Sequence, residues 1–179
     1  MKKFEIIDWL IKTDNNGHEN SCVKIKNLPG FYRPRAETLV FKENLIFLLL
    51  TDTGYKIPGG NINLGEDPSK AASRELNEEA LITSKNFIKC DESFNTDVSP
   101  WVKENVPKEN QWSGYLTEIY TCHYTGKYLG YVKEIDRDDI MAKYGKFYPI
   151  RDILHILSPE HFRIVEKYLG NYEKNQLYN

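Results

Sequence analysis

Short apolar runs separated by turn-forming residues dominate the chain, and this pattern predicts a structure rich in β-strands. The run from Leu45 to Leu50 has six consecutive apolar residues, which is typical of a strand buried on both faces. The segment between residues 95 and 111 is mostly polar and contains two prolines, so we expect a long loop there. Strands are predicted at residues 4–11, 22–25, 36–41, 45–50, 87–94, 115–124, 128–132 and 147–150.

Two segments follow a helical pattern. Asp67 followed by Pro68 favours a helix start, because the aspartate side chain can cap the helix and proline fits the first helical position. Ala72, Leu76 and Ala80 then recur at helical spacing, so we expect a helix from 68 to about 80 that packs on the sheet through these residues. A last helix is predicted after Ser158-Pro159-Glu160, with an apolar stripe at Phe162, Val165 and Leu169.

The composition is that of one soluble domain. The chain has 179 residues, of which 40% are hydrophobic and 28% charged, a size at which a single core can form. A formal net charge of -2 provides no overall positive field, which argues against nucleic acid as a partner. The longest apolar run is far shorter than the roughly 20 residues of a membrane span. We therefore expect a cytoplasmic protein with no membrane partner, whose dispersed cysteines stay reduced.

The helix predicted at 68–80 carries three glutamates on one face. With about 100° per residue, Glu78 and Glu79 lie within about 60° of Glu75. Like charges at this spacing repel one another, so helix stability alone does not favour the arrangement. A hard divalent cation would reverse the effect, because carboxylates and phosphate oxygens are its preferred ligands. For the glutamates taken alone, a solvated acidic face is the alternative.

The segment from Gly60 to Ile82 resembles the Nudix box, the pattern G-x5-E-x7-R-E-U-x-E-E-x-G-U in which U is aliphatic. Eight of the nine specified positions agree, and the exception is Leu81, where the pattern has glycine. Because a left-handed residue often closes a helix at this point, the exception concerns the helix exit rather than the chemistry. Further family landmarks at Arg35-Ala36, 55–60 and 147–153 extend the resemblance over about residues 33–155.

The resemblance implies an α/β Nudix fold, a mixed β-sheet sandwiched between α-helices, in a single domain over 1–179 with an N-terminal extension at 1–30. It implies a pyrophosphohydrolase that cleaves a nucleoside diphosphate linked to another group and uses Mg²⁺ or Mn²⁺. The implied metal ligands are Glu75, Glu78, Glu79 and the carbonyl of Gly60. Arg74 matches the residue that orients the first glutamate, and Glu66 supports the metal site from the loop.

The residue that accepts the proton of the attacking water stays open, because members of the family differ in its position. Glu75 is our first choice, since it lies within the box. A later acid is the alternative, and the candidates are Glu134, Asp138 and Asp139. A solvated acidic loop explains that later stretch about as well.

Four residues outside the box are candidates for substrate binding. Arg33 and Arg35 carry fork-shaped donors that suit phosphate, although arginines beside a proline are more often surface residues. Trp101 and Trp112 could stack on a purine base. The alternative is that these rings anchor the long loop to the body of the protein, because aromatic side chains bury large areas. The substrate itself is expected to be a small molecule of the nucleotide or nucleotide-sugar type.

Two other functions could use the same fold. A non-catalytic Nudix module would bind a nucleotide to regulate another process, but it has no use for the acidic positions that this chain retains, among them Glu66 and Glu75. An RNA-end-processing enzyme would need an electropositive approach for its substrate, and the net charge of -2 weighs against it. A small-molecule hydrolase is therefore the leading hypothesis.

The apolar run at 4–11 precedes the region that resembles the family. An isolated extra strand is unstable when exposed, because its backbone groups and apolar side chains need cover. We therefore expect this strand either to extend the chain's own sheet or to pair with a second copy. The homodimer is the preferred interpretation, since two-fold dimers are the commonest soluble oligomers.

Overall fold

A computed structural model of the protein describes residues 4–51, 54–84, 86–96, 98, 100–124, 144–157, 161–166 and 168. These residues cluster into two units. The first unit draws on the described residues within 1–37, 59–75 and 89–120, and the second unit on the described residues within 38–58, 76–88 and 121–168.

Most strands and helices occur where the apolar pattern predicts them. The strands are β1 (Ile6–Thr13), β2 (Glu19–Ile25), β3 (Arg33–Lys42), β4 (Leu45–Thr51), β5 (Gly54–Lys56), β6 (Gly59–Asn61), β7 (Ile88–Asn95), β8 (Tyr115–His123) and β9 (Tyr144–Pro149). The α-helices are α1 (Pro68–Ala80) and α2 (Pro100–Asn105), and 3₁₀ turns lie at Lys108–Asn110 and Ile150–His155. Residues 161–166 are also helical.

The strands of the described residues belong to two sheets. The larger sheet has the order β5-β4-β3-β8-β7, with β6 paired to β3 and β9 paired to β4. Strand β4 lies inside this sheet, and Ile46, Phe47, Leu48 and Leu49 on it are at most 2% exposed. The predicted burial of β4 on both faces is therefore confirmed.

Helix α1 has the bounds that the capping signal and the apolar stripe predict. The Asp67 Oδ1 atom accepts the backbone N–H groups of Ser69 at 2.9 Å and of Lys70 at 3.3 Å, which is an N-cap. The hydroxyl of Ser69 also donates to Asp67, and this hydrogen bond lowers the pKa of the Asp67 carboxyl. The first turn of the helix is therefore held by a charged cap.

The buried face of α1 is the one that the sequence pattern indicates. Ala72 is fully buried. In the second unit, Leu76 and Ala80 pack in one core cluster with Phe47 and Phe147 of strands β4 and β9. The glutamates of the helix are left outside this buried stripe.

Helix α1 ends in a left-handed residue even though the chain lacks the glycine of the box. Leu81 has a φ of 53°, and its backbone N–H donates to the carbonyl of Asn77 at 3.0 Å. Its side chain is 64% exposed. Leucine therefore adopts the closing conformation that glycine supplies elsewhere in the family pattern, at a cost in backbone strain.

The N-terminal strand does not extend the larger sheet, so the first of the two alternatives expected for this strand is wrong. β1 pairs with β2 in a separate antiparallel two-stranded sheet, with Leu10 opposite Cys22. The expectation failed because the turn at 14–18 folds the chain back on itself, and Asp14 Oδ1 accepts the backbone N–H groups of Asn16 and His18. The hairpin thus supplies a partner strand from its own sequence.

The segment predicted as a long loop at 95–111 contains helix α2 and a 3₁₀ turn, so this expectation was also wrong. Val102 and Val106, one helical turn apart, are buried with Trp112 and Cys22 in one cluster. The side-chain amide of Gln111 donates to the carbonyl of Val106 at 3.0 Å. Tertiary burial and a side-chain cap thus stabilise a helix that its polar composition does not predict.

The β1–β2 hairpin is fastened to this segment by hydrogen bonds. The backbone N–H of Asn15 donates to the carbonyl of Asn105 at 3.0 Å, and Lys12 Nζ donates to the carbonyl of Glu109 at 2.6 Å. The Asn110 side chain donates to the carbonyl of Thr13 at 2.9 Å. The N-terminal extension is therefore an integral part of the first unit.

Some expectations fall outside the described residues. These are the strand at 128–132, the start of the last helix at 158–160, and the last residue of its stripe, Leu169. Val165 of the same stripe lies in the helical stretch 161–166 and is fully buried. Among the helices of the described residues, none is long and apolar enough to span a membrane.

Candidate active site

The loop before α1 is tied to the helix by an arginine–carboxylate clamp. Arg74 Nε donates to Glu66 Oε1 at 2.9 Å, and a terminal nitrogen of the same guanidinium donates to Glu66 Oε2 at 3.0 Å. The backbone N–H of Asn63 also donates to Glu66 Oε2, at 2.9 Å. The hydrogen bonds from Arg74 and from this backbone group lower the pKa of the Glu66 carboxyl. Glu66 is therefore an ionised anchor for Arg74.

Arg74 also holds the first glutamate of the helix. Its Nη1 atom donates to Glu75 Oε1 at 2.7 Å, and its Nη2 atom donates to the carbonyl of Asn61 at 2.8 Å. Its carboxylate partners, Glu66 first, raise the pKa of the guanidinium further, so Arg74 stays charged. One guanidinium thus fixes the Glu75 carboxylate relative to the loop and to strand β6.

Gly60 allows the backbone of β6 to approach this carboxylate. A Cβ atom at position 60 would overlap both carboxylate oxygens of Glu75. Gly60 lies opposite Ala36 in the antiparallel pairing of β3 with β6, which fixes its position. A side chain at position 60 would therefore displace the Glu75 carboxylate from the position in which Arg74 holds it.

In the second unit, the third glutamate of the helix is paired with a lysine. Lys56 Nζ lies 2.5 Å from Glu79 Oε1, and the two side chains are only 18% and 11% exposed. Glu78, the residue before Glu79, is partly buried. Lys56 was not among the residues singled out from the sequence, although it lies in the landmark segment 55–60, directly before Ile57-Pro58-Gly59-Gly60.

The side chains present have the chemistry of a divalent-metal site. Carboxylates and a backbone carbonyl are hard oxygen donors of the kind that Mg²⁺ and Mn²⁺ prefer. The Glu75 carboxylate lies against the backbone of Gly60, in the space that a Cβ atom at position 60 would fill. However, no three Asp, Glu, His or Cys side chains of the described residues form a metal-binding group. In this structure Arg74 pairs with the carboxylate of Glu75, and Lys56 pairs with that of Glu79.

Strand β3 carries a row of three charged side chains, of which Glu37 is buried and the two arginines are half-buried. Arg33, Arg35 and Glu37 alternate along the strand and so share one face. Glu37 is 1% exposed and lies 3.3 Å from an Arg35 nitrogen. Burial, and then the charge of Arg35, lower the pKa of Arg33, whereas Glu75 acts on it in the opposite direction. Arg33 is therefore within electrostatic reach of the clamped glutamate.

Both arginines rest on aromatic rings. The Arg33 guanidinium lies 4.8 Å from the centre of the Trp112 ring, and that of Arg35 lies 5.7 Å from the centre of the Tyr115 ring. The Arg33 Nε atom and the Trp112 indole nitrogen are buried without a hydrogen-bond partner among the described residues. Trp112 is 2% exposed. This geometry favours the anchoring alternative for Trp112 over stacking on a base.

The structure does not describe the side chains of the remaining candidates from the sequence. Trp101 lies in helix α2, and its side chain is outside the described residues. The later acids Glu134, Asp138 and Asp139 are also outside them. Glu37 is the buried acid that sequence reasoning missed, and its alternation with the two arginines of β3 was the available signal.

The arrangement of strands and the clamped box helix define a Nudix fold. Residues 32–168, most of the chain, match the NUDIX domain family. The chain therefore belongs to the Nudix family, as the box resemblance indicates.

Individual relatives agree with this assignment. The chain is 34% identical over 103 residues to Nudix hydrolase 25 of Arabidopsis thaliana, a match that covers 54% of this chain and 59% of the relative. The chain thus spans about three-fifths of that protein's length.

Solved structures with the same fold have much lower identity. The NUDIX domain of Shewanella oneidensis NrtR, complexed with ADP ribose, has a TM-score of 0.59 and 15% identity, over 79% of this chain and 88% of that domain's chain. The MutT NUDIX hydrolase from Burkholderia pseudomallei has a TM-score of 0.56 and 15% identity, over 75% and 95% of the two chains. These structures confirm the predicted α/β Nudix fold.

Proposed function

We propose that this protein is a divalent-metal-dependent pyrophosphohydrolase that cleaves a nucleoside diphosphate linked to another group. The observation that carries the proposal is the clamp of Arg74 on Glu66 and Glu75 beside the Gly60 backbone. A fixed carboxylate next to a backbone with no side chain suits a hydrolytic centre, because catalysis requires groups held in place before the substrate arrives.

The proposed metal ligands are the carbonyl of Gly60 and the carboxylates of Glu75, Glu78 and Glu79. Bound Mg²⁺ or Mn²⁺ would neutralise phosphate charge and lower the pKa of a water molecule. Helix α1 is continuous through all three glutamates, so its geometry directs them to one face. Family membership supports a divalent metal in general, and the choice of ion belongs to this proposal.

Glu75 is our candidate for the general base, and Arg74 is the positioning residue that orients it. Glu75 would accept the proton of the water that attacks phosphorus. Because Glu66 holds the other edge of Arg74, loss of Glu66 would loosen Glu75 without removing any ligand. The later acids Glu134, Asp138 and Asp139 remain the alternative base.

Arg33 and Arg35 are proposed to bind the phosphate chain of the substrate. A phosphate oxygen would supply the hydrogen-bond acceptor that the buried Arg33 Nε atom lacks among the described residues. The substrate would be a small nucleotide-type molecule. The ADP ribose bound by the NUDIX domain of Shewanella oneidensis NrtR makes that compound one of the first to test.

Two further proposals concern the protein as a whole. The first is the homodimer expected from the sequence, with Ile6, Ile7 and Ile11 of β1, which are between 37% and 52% exposed, proposed to lie at its interface. We propose that the reaction takes place in the cytoplasm, because Cys22 and Cys122 are buried free thiols, as is usual in a reducing compartment.

A substrate screen tests the activity. Purified protein with Mg²⁺ or Mn²⁺ would be offered nucleoside triphosphates, nucleotide sugars, ADP-ribose and dinucleoside polyphosphates, and phosphate release would be read before and after phosphatase treatment. Glu79→Gln is expected to lower turnover of the best substrate by at least about a hundredfold, since it removes a metal ligand. The control is Glu104→Gln, an exposed glutamate of helix α2.

The outcomes separate the enzyme from a binding module. Near-wild-type turnover by Glu79→Gln would show that the site assignment is wrong. Tight nucleotide binding without hydrolysis of any compound would instead favour a non-catalytic Nudix module.

A further inference from the structure

Lys56 places its ammonium group on one of the proposed metal ligands. In the pairing of β4 with β5, Lys56 lies opposite Leu49, so the two side chains share one face of the sheet. Leu49 belongs to the same core cluster as Leu76 and Ala80 of α1. Lys56 is therefore directed toward the helix, where its Nζ atom contacts Glu79 Oε1 at 2.5 Å.

This ion pair differs from an ordinary surface pair. Only 18% of the Lys56 side chain and 11% of the Glu79 side chain are exposed, so water screens the attraction weakly. A partly buried carboxylate that lost its lysine would retain an uncompensated charge. The pair therefore serves the metal-free protein, in which helix α1 carries three glutamates within five residues.

A divalent cation and the ammonium group compete for the same carboxylate. Both are attracted by Glu79, and they repel each other at short distance. A bound cation must therefore weaken or break the contact between Lys56 and Glu79. Once displaced, an ammonium group in a partly buried position needs another anion, and the phosphate chain of the substrate is the anion that the proposed reaction brings.

We propose that Lys56 is an internal counter-cation that neutralises Glu79 before the metal binds and then pairs with a phosphate of the substrate. This inference rests on the proposed function. It assigns to Lys56 two opposite effects, because the lysine weakens metal binding and strengthens substrate binding.

The test is Mn²⁺ affinity, read from the electron paramagnetic resonance signal of free Mn²⁺ without substrate. Lys56→Met keeps the length of the side chain and removes the charge. It is expected to lower the Mn²⁺ dissociation constant about tenfold, which corresponds to about 1.4 kcal/mol. Lys56→Arg keeps a cation that can hold Glu79 with two hydrogen bonds, so its Mn²⁺ affinity should equal that of the wild type or be weaker.

A matched control separates this local effect from the loss of one positive charge. Lys146 lies opposite Leu48 in the pairing of β4 with β9 and so on the other face of the sheet. Its ammonium group lies 4.6 Å from the centre of the Tyr148 ring. Lys146→Met is expected to leave the Mn²⁺ dissociation constant within about twofold of the wild-type value, because this ammonium group lies on the opposite face of the sheet from Lys56.

Steady-state kinetics with the best substrate test the second effect. With saturating Mn²⁺, Lys56→Met is expected to raise KM about tenfold and to change kcat much less, as for a residue that binds substrate and transition state alike. Lys56→Gln provides a second variant, and circular dichroism melting shows whether each variant is folded. An unchanged KM in both variants would refute the phosphate contact.

The inference and the proposed function can fail separately. If Lys56→Met and Lys56→Gln bind Mn²⁺ like the wild type while Glu79→Gln binds it weakly, the metal site stands and the role of Lys56 is refuted. If Glu79→Gln binds Mn²⁺ like the wild type, the proposed metal site is wrong and the inference falls with it.

Discussion

Replacement of Leu81 by glycine tests whether the helix exit of the box is strained in this protein. Leu81 has a φ of 53°, a conformation that costs an L-residue about 1–2 kcal/mol and costs glycine little. Glycine also loses more freedom on folding than alanine does, by about 0.5–1 kcal/mol. The comparison of Leu81→Gly with Leu81→Ala removes the leucine side chain in both proteins and so isolates the backbone term.

The expected difference in unfolding free energy is the left-handed strain that glycine relieves minus the extra entropy that glycine loses on folding. Leu81→Gly should be more stable than Leu81→Ala by roughly 0.5–1 kcal/mol. Asn77 provides the matched control, because it is exposed and lies inside helix α1. There the order should be reversed, with Asn77→Gly less stable than Asn77→Ala by about 1 kcal/mol.

Urea unfolding followed by far-UV circular dichroism measures both pairs. With a slope of about 2 kcal/mol per molar urea, the Leu81→Gly midpoint should lie roughly 0.3–0.5 M above that of Leu81→Ala. This prediction is refuted if Leu81→Ala is as stable as Leu81→Gly while Asn77→Gly is less stable than Asn77→Ala. In that case the helix exit carries no left-handed strain.

Three other predictions concern acid stability, thiol reactivity and assembly. Arg74 lowers the folded-state pKa of Glu66, so the stability from this pair is present above the usual glutamate pKa and is lost as the pH falls through the lowered value. Glu66→Gln should therefore be less stable than the wild type by about 1 kcal/mol near pH 7, and the gap should close in urea unfolding near pH 3. Burial raises the pKa of both Cys22 and Cys122 to about 11, so at pH 8 these two thiols should react with a disulfide reagent about a hundredfold more slowly in the folded protein than in urea. Light scattering should give a dimer for the full chain and a monomer for Ile7→Lys, and a wild-type mass near 20.9 kDa would refute the homodimer.

The sequence alone determined the elements that are stabilised by interactions between residues near one another in the chain. The cap at Asp67, the proline after it and the stripe at Leu76 and Ala80 act within a few residues of one another, so the bounds of α1 could be predicted from them. The burial of β4 likewise followed from its unbroken apolar run. The box resemblance implied that Arg74 orients Glu75, whereas the pairing of Arg74 with Glu66 came from the structure.

Contacts between distant parts of the chain decided the rest. Helix α2 forms although its composition is polar, because Val102 and Val106 are buried with Trp112 and with Cys22 of the hairpin. The partner of the N-terminal strand was decided in the same way, because the apolar pattern of β1 does not show whether it pairs with β2 alone or joins the larger sheet.

In the candidate site, too, the sequence determines some features and contacts between distant residues decide others. The spacing of the box identifies which glutamates could hold a metal, since the helix repeat is a local property. It does not identify the cation that each one holds. Lys56 is 23 residues from Glu79 in sequence, and the two meet only because strand β5 is paired to β4 while β4 packs against helix α1. Such a contact depends on the sheet order, which only the tertiary structure provides.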